Sequence, residues 1–377
     1  MSSSSPEVVI SPEVARRLLV EGATLFFLNV PEGTQFGIDM KMWDTGEKFK
    51  GVKMIPPGVH MIHYSASGKY GDVAPKVSFL HNFKKSEVLV KKWDIDSERM
   101  SLETVSDEEV ARFKTNLLNL DHFLGAYPFE TYDLWQKLSK HISDSVLNRL
   151  LPECGVISSA LELISMQDRP KPVLIRRLRT VDEREEELLP KLRPTPGTEI
   201  RFTPMPMKTY PDGSTPQDIT KHSLDLSYTL DSMIGDLGDP REIVGEIQFA
   251  FVSFLVGQSL ESFEAWKNLV RLLCNCREAV TRRRQLYVHF LQALETQLAQ
   301  VPEDFLVDIV SSNNVIYVSL RELFKTMAES SSIEGRLRCE AQRLQERLTE
   351  KFCWDFQDLE LETGDEAPVI VELEAQG

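Results

Sequence analysis

The chain has no excess of positive charge: 43 Lys and Arg stand against 58 Asp and Glu, a formal net charge of −15. Non-specific nucleic-acid binding needs a basic surface that releases counterions, so the balance argues against that class. Cysteine is scarce and scattered, at Cys154, Cys274, Cys276, Cys339 and Cys353. An odd number without framework spacing does not staple a secreted domain, and a reducing compartment is expected. Long apolar runs are missing. The longest, Ile247 to Val256, is interrupted by Gln248 and Ser253 and falls well short of the ~20 residues that span a bilayer. The start, MSSSSPEVV, has neither a basic n-region nor an apolar core, so no signal peptide is expected. A soluble intracellular protein follows as the expectation.

Catalytic signatures are also missing. Trp43-Asp44-Thr45-Gly46 contains the Asp-Thr-Gly of aspartic proteases. That chemistry needs two carboxylates sharing a proton, and no second copy exists, so a polar turn between strands is the expectation. His60 and His63 are three apart, which in a strand sends them to opposite faces, away from a shared metal. Cys274 and Cys276 diverge on a helix, and no other Cys/His pair has zinc spacing. Ser67 to Asp72 (SGKYGD) has neither P-loop nor dinucleotide spacing. Arg282-Arg283-Arg284 and Arg176-Arg177 with Arg179 lack interleaved aromatics, so solvated or paired arginines are expected rather than RNA contacts. No enzyme, cofactor or metal is expected. A hydrolase built on Asp44 is the weakest of the readings weighed.

What is present has a clear order. After a short capped helix at Ser11 to Leu19, residues 23–102 carry runs of branched and aromatic residues punctuated by Gly, Pro, Asn and Asp. These predict a mainly antiparallel sheet or sandwich of five to seven strands. Ser106 to Glu109 (SDEE) reads as a capping box opening a helix to about Leu120, and a second helix follows Pro128 to near Pro152. Residues 168–215 hold prolines and blocks of opposite charge and read as a linker, with Ile200 to Thr203 able to return as one strand. From Thr215 the pattern is helical to near Cys353, six or seven helices without a fixed repeat period.

At the centre of that stretch Asp239 to Cys276 predicts a helical hairpin. Its first helix, started by Asp239 and Pro240, is apolar nearly all round, so neighbours must bury it. The fold class is therefore α+β: a β-rich, sandwich-like domain with helices (1–167), a linker (168–215), an all-α domain (216–354) and an acidic tail (355–377). The tail has eight acids from Asp355 onward and no Lys or Arg. Inside it, Val369, Ile370, Val371, Glu372 and Leu373 form a β-strand segment with no sheet of its own. Such a segment adds to a partner's open sheet edge or docks on the chain's own β domain.

Five stretches together resemble the Aar-two family of cistron-splicing factors: FLNVPEGTQFGID (Phe27 to Asp39), KHSLDLSY (Lys221 to Tyr228), GEIQFAFVSFLVG (Gly245 to Gly257), FEAWKNLVRLLC (Phe263 to Cys274) and APVIVEL (Ala367 to Leu373). None is a catalytic signature. The resemblance implies a VHS-like helical domain and a non-enzymatic assembly chaperone of the U5 snRNP. It implies a partner, the large central protein of that particle, bound at its RNase H-like and Jab/MPN-like domains in a cytoplasmic precursor, with a nuclear phase also open. It further implies later exchange for the U5 helicase, linked to phosphorylation, and shifts the reading of Val369 to Leu373 toward pairing with the partner. Association with the snRNA particle is then indirect, with no DNA or membrane partner, and the chain acts as a monomer. Candidate phosphorylation positions are Ser214 and Thr215 in the linker and Ser253 in the apolar helix, where a phosphate would disrupt packing. A trafficking adaptor whose VHS-like domain reads sorting peptides is the alternative.

Overall fold

Strand β1 (Ala23–Leu28) runs through the middle of a sheet ordered β8-β7-β1-β4-β9. The computed structural model describes residues 11–356 apart from 69–71, 162, 166–191, 304, 307–313, 331–332 and 334. Contacts divide the chain into two units, 1–203 with 248–263, and 204–247 with 264–377.

In the first unit, a second sheet, ordered β10-β6-β5-β2-β3, packs on the first. The remaining strands are β2 (Gln35–Ile38), β3 (Lys41–Asp44), β4 (Gly51–Ile55), β5 (Gly58–Ser65), β6 (Val77–Phe83), β7 (Val88–Asp94), β8 (Arg99–Met100), β9 (Leu124–Ala126) and β10 (Ile157–Ser158). Among the described residues, 23–102 hold eight strands where five to seven were expected, and β9 and β10 join the two sheets from further along the chain. The extra ones are edge pieces of two or three residues, too short to carry an alternating pattern. Pairing is not antiparallel throughout: β1 runs parallel to β7, Thr24 opposite Val88, and β4 parallel to β9.

Leu25 and Phe27 face the second sheet and join a core with Phe36, Ile62, Tyr64 and Trp93. Phe26 and Val90 point the other way and are covered by Val110, Phe113, Leu117 and Leu120 from helices α2 (Asp107–Thr115) and α3 (Leu117–Leu120). The first sheet is therefore buried on both faces, which explains why β1 reads as an unbroken apolar run. The helix expected over 106–120 breaks at Asn116, whose amide donates back to the Arg112 carbonyl at 3.0 Å. Ser106 does accept the Glu109 N–H, but the Glu109 carboxylate accepts from Lys92 at 2.8 Å.

Helix α1 (Pro12–Glu21) is capped by Ser11 as expected. The single helix expected after Pro128 is two, α4 (Tyr132–Ser139) and α5 (Asp144–Leu150), because Ser143 caps the second by accepting the Val146 N–H. Just before the expected linker, β11 (Leu163–Ser165) pairs antiparallel with β12 (Leu192–Pro194) inside it. Ile200 is buried, and Arg201 donates its N–H to Leu150 O and its guanidinium to Leu151 O and Asn148 O. Residues 192–203 thus belong to the first unit, and after β12 they run as irregular chain rather than forming a strand at Ile200 to Thr203. The first half of the expected linker, 168–191, lies outside the described residues.

In the second unit the helices are α6 (Pro216–Leu224), α7 (Ser227–Gly235), α10 (Arg277–Arg282), α11 (Arg284–Gln300), α12 (Val315–Glu329) and α13 (Arg336–Phe352), with the ends of α8 (Glu242–Leu255) and α9 (Leu260–Cys274). Trp266 donates to Gln297 Oε1 at 2.9 Å, and Tyr287 OH donates to Leu273 O at 2.8 Å. Glu295, nearly buried on α11, takes Arg343 at 2.7 Å and also Arg347 from α13. No helix among the described residues is long and apolar enough to cross a membrane.

Candidate functional site

The hairpin of α8 and α9 divides between the two units, and its tip, Gln248 to Phe263, belongs to the β-rich one. Gln248, the polar residue that interrupts the apolar run, donates to Lys137 O at 2.8 Å and accepts the His141 N–H at 2.7 Å. It satisfies backbone groups around the end of α4 that burial would otherwise leave unpaired. Phe249 meets Phe202 edge-on, and Lys76 donates to Val256 O at 3.1 Å, a cation at a helix C-terminus. Gly257 is needed for close approach. A Cβ there would stand 2.5 Å from Ser253 O, 2.8 Å from Met61 Cε and 3.0 Å from Ser78 Oγ. The reading of this hairpin as the centre of the helical domain alone is therefore corrected. The tip, Gln248 to Phe263, packs within the β-rich unit.

Ser253 lies in that tip with no exposed surface, and its hydroxyl has no hydrogen-bond partner. A phosphoryl group cannot reach it, or be housed there, while the tip is packed. Ser214 and Thr215 stand differently. Ser214 Oγ donates to Pro211 O at 2.8 Å, and Thr215 forms a full capping box with Asp218 at the start of α6. Both precede a helix N-terminus, where added negative charge is favourable.

The Val369, Ile370, Val371, Glu372 and Leu373 strand lies outside the described residues. What is described is its root. Trp354 and Phe356 are both buried at 9 % exposure, so the tail begins after Phe356 rather than at 355. Phe356 meets Phe324 edge-on at 5.0 Å and Tyr317 at 5.6 Å. The Asp355 carbonyl accepts from Tyr317 OH at 2.6 Å and from Arg321 at 3.0 Å, and Thr349 donates to Trp354 O at 2.9 Å. Two side chains of α12 thus fix where the tail leaves. Sequence reasoning missed them; the aromatics Trp354 and Phe356 within an otherwise polar stretch were the available signal.

A second cluster also escaped the sequence. Asp39, at the tip of the β2–β3 hairpin, is fully buried and has φ +52°. Its carboxylate accepts from Tyr127 OH at 2.5 Å, from the Met61 N–H at 2.9 Å and from His60 Nδ1 at 2.6 Å. His60 Nε2 faces Pro56 O at 2.8 Å. With both nitrogens engaged, this Asp–His pair has no free site to act as a base. His63 donates from Nε2 to the Asp39 carbonyl at 3.1 Å. Burial, helped by nearby Lys76, pushes it down to about 4, and its Nδ1 has no partner. The two histidines thus point to opposite faces of β5 and reach the same residue, one through its side chain and the other through its backbone.

Other expected positions resolve simply. Asp44 is the exposed last residue of β3 rather than part of a turn. Cys274 and Cys276 are buried, which raises both thiols far above their usual range. Asp231 accepts from Arg282 at 2.9 Å and Arg283 at 2.8 Å. No group of three metal-ligating side chains occurs among the described residues. The Arg176 cluster lies outside them.

Comparison with known proteins covers both units. A family model described as the AAR2 N-terminal domain matches residues 21–152, and one described as the AAR2 C-terminal repeat region matches 202–357. The chain is similar to the human Protein AAR2 homolog, 41% identical over 97% of each chain. The mouse Protein AAR2 homolog gives the same identity and coverage. The Caenorhabditis elegans Protein AAR2 homolog is 35% identical over 92% of this chain and 98% of its own.

Proposed function

Because the chain belongs to the AAR2 family, we propose that it is a non-enzymatic splicing factor, an assembly chaperone of the U5 snRNP. In this reading it holds the large central protein of that particle at its RNase H-like and Jab/MPN-like domains until the U5 helicase takes its place. It acts as a monomer in the cytoplasm, with a nuclear phase, and its association with RNA is indirect. The strand Val369 to Leu373 adds to an open sheet edge of the partner. Backbone bonds give such an addition its affinity, and alternating side chains give it specificity. Phosphorylation that times the exchange falls on Ser214 or Thr215.

The observation that carries the reading is the anchoring of Asp355 by Tyr317 and Arg321. It supports a binding segment presented from a fixed origin. The test is co-purification from cell extract. The central U5 protein should be recovered with the full chain. Recovery of membrane-trafficking proteins in its place would overturn the reading.

A further inference from the structure

Trp354, Asp355 and Phe356 run along α12 in the helix's own direction. Trp354 meets Tyr317 at 5.5 Å, the Asp355 carbonyl accepts from Tyr317 and Arg321, and Phe356 reaches Phe324 at 5.0 Å. Lys325 stands four residues beyond Arg321, and residues four apart neighbour each other on a helix surface. The path that the chain takes into Phe356 therefore leads toward Lys325. Lys325 is half-buried and, among the described residues, has no carboxylate partner. Glu322, a turn before it, is held by Arg277 at 3.3 Å. Helix α12 ends at Glu329, and a tight turn with the Ile333 N–H on Ser330 O at 3.2 Å leads toward α13. The first turn of α13 carries Arg336 and Arg338, both exposed. Arg336 faces Glu340 at 3.7 Å, and Arg338 has no carboxylate partner among the described residues.

After Phe356 the sequence reads Gln357-Asp358-Leu359-Glu360-Leu361-Glu362. We propose that in the free chain this acidic run lies back along α12, with Asp358 at Lys325 and with Glu360 and Glu362 toward Arg336 and Arg338. The chain is already on this helix, and running in this direction, when it reaches Phe356. Its charge is opposite to that of Lys325, Arg336 and Arg338 ahead of it. Its length also fits. Lys325 lies about 6 Å before the end of α12, and five extended residues span about 16 Å. Thr363 to Pro368 are then the tether of the strand Val369 to Leu373, which leaves from the start of α13 rather than from Phe356. The proposal stands whichever protein takes the strand.

The test uses the full chain, dilute, with a carbodiimide that joins a lysine amine to a carboxylate only where the two touch. Mass spectrometry of the monomer is expected to show Lys325 joined to Asp358 or Glu360. That link should disappear at about 1 M salt, where the Debye length is about 3 Å. A glutamate-specific protease supplies a second readout. Lys325→Gln combined with Arg338→Gln, at an unchanged melting temperature, should be cut after Glu360 and Glu362 about two- to fivefold faster, the range that one or two exposed ion pairs supply. Lys325→Arg with Arg338→Lys keeps both charges and should be cut at the wild-type rate. Tail carboxylates joined evenly to lysines over the whole surface would overturn the proposal, as would equal cleavage of the wild type and the glutamine variant. A Lys325 link confined to cross-linked dimers makes the tail of a second copy the occupant and also overturns it.

Discussion

The Asp39 carboxylate lies 2.6 Å from Nδ1 of His60, and neither side chain reaches solvent. This pair ties the β2–β3 hairpin tip to β5, and Tyr127 closes it from the chain that follows β9. Removing one member leaves the other polar group buried and unmatched. Asp39→Ala is expected to cost about 3–5 kcal/mol of stability, read from the urea midpoint. A change below about 1 kcal/mol would mean that the cluster does not hold the fold.

His63 gives the first unit a dependence on pH. Its folded value, about 4, lies below the unfolded value of 6.5. The neutral ring is favoured in the fold, so this contribution is fully present above 6.5 and is lost as pH falls through 4. It amounts to roughly 3 kcal/mol at most. Urea titrations between pH 7 and 4 should show the decline, and His63→Gln should flatten it.

Glu261 works in the other direction. Burial raises it, with the Glu199 charge adding to the shift, and its Oε2 has no partner. A raised carboxylate contributes stability below its unfolded value that is lost as pH climbs through the folded value. Glu261→Gln should raise the melting temperature at pH 7 and leave it little changed at pH 4.

Gly257→Ala should destabilise the hairpin tip, because the added methyl meets the Ser253 carbonyl and Met61. About 1–3 kcal/mol is expected, with faster amide exchange across Gln248 to Phe263. Uniform exchange over the whole chain would instead indicate global loss of stability.

Thr215→Ala removes a capping box and should cost about 1 kcal/mol, measured by thermal unfolding. In the intact chain a kinase should label Ser214 or Thr215 and leave Ser253 unmodified, as mass spectrometry would show.

The order of strands, then helices, was legible because β1 and β5 are short branched and aromatic runs between turn residues and the long helices carry apolar residues at helical spacing. Three things were not. The edge strands β8, β9 and β10 are too short for any period. That the hairpin tip, Gln248 to Phe263, belongs to the β-rich unit is invisible because an all-round apolar helix does not say what covers it. The Asp39 cluster joins residues far apart in sequence, 21 between Asp39 and His60 and 88 between Asp39 and Tyr127, and nothing local marks them. For the tail, the acidic composition was plain, but the packing of Trp354 and Phe356 onto α12 moved its start.

The most direct measurement is calorimetry of Val371→Pro against the wild-type chain, titrated with the Jab/MPN-like domain of the central U5 protein. Proline removes one strand hydrogen bond and changes nothing in the described fold. Binding weakened at an unchanged melting temperature is the predicted result. Equal affinity for both chains would contradict strand addition by the tail.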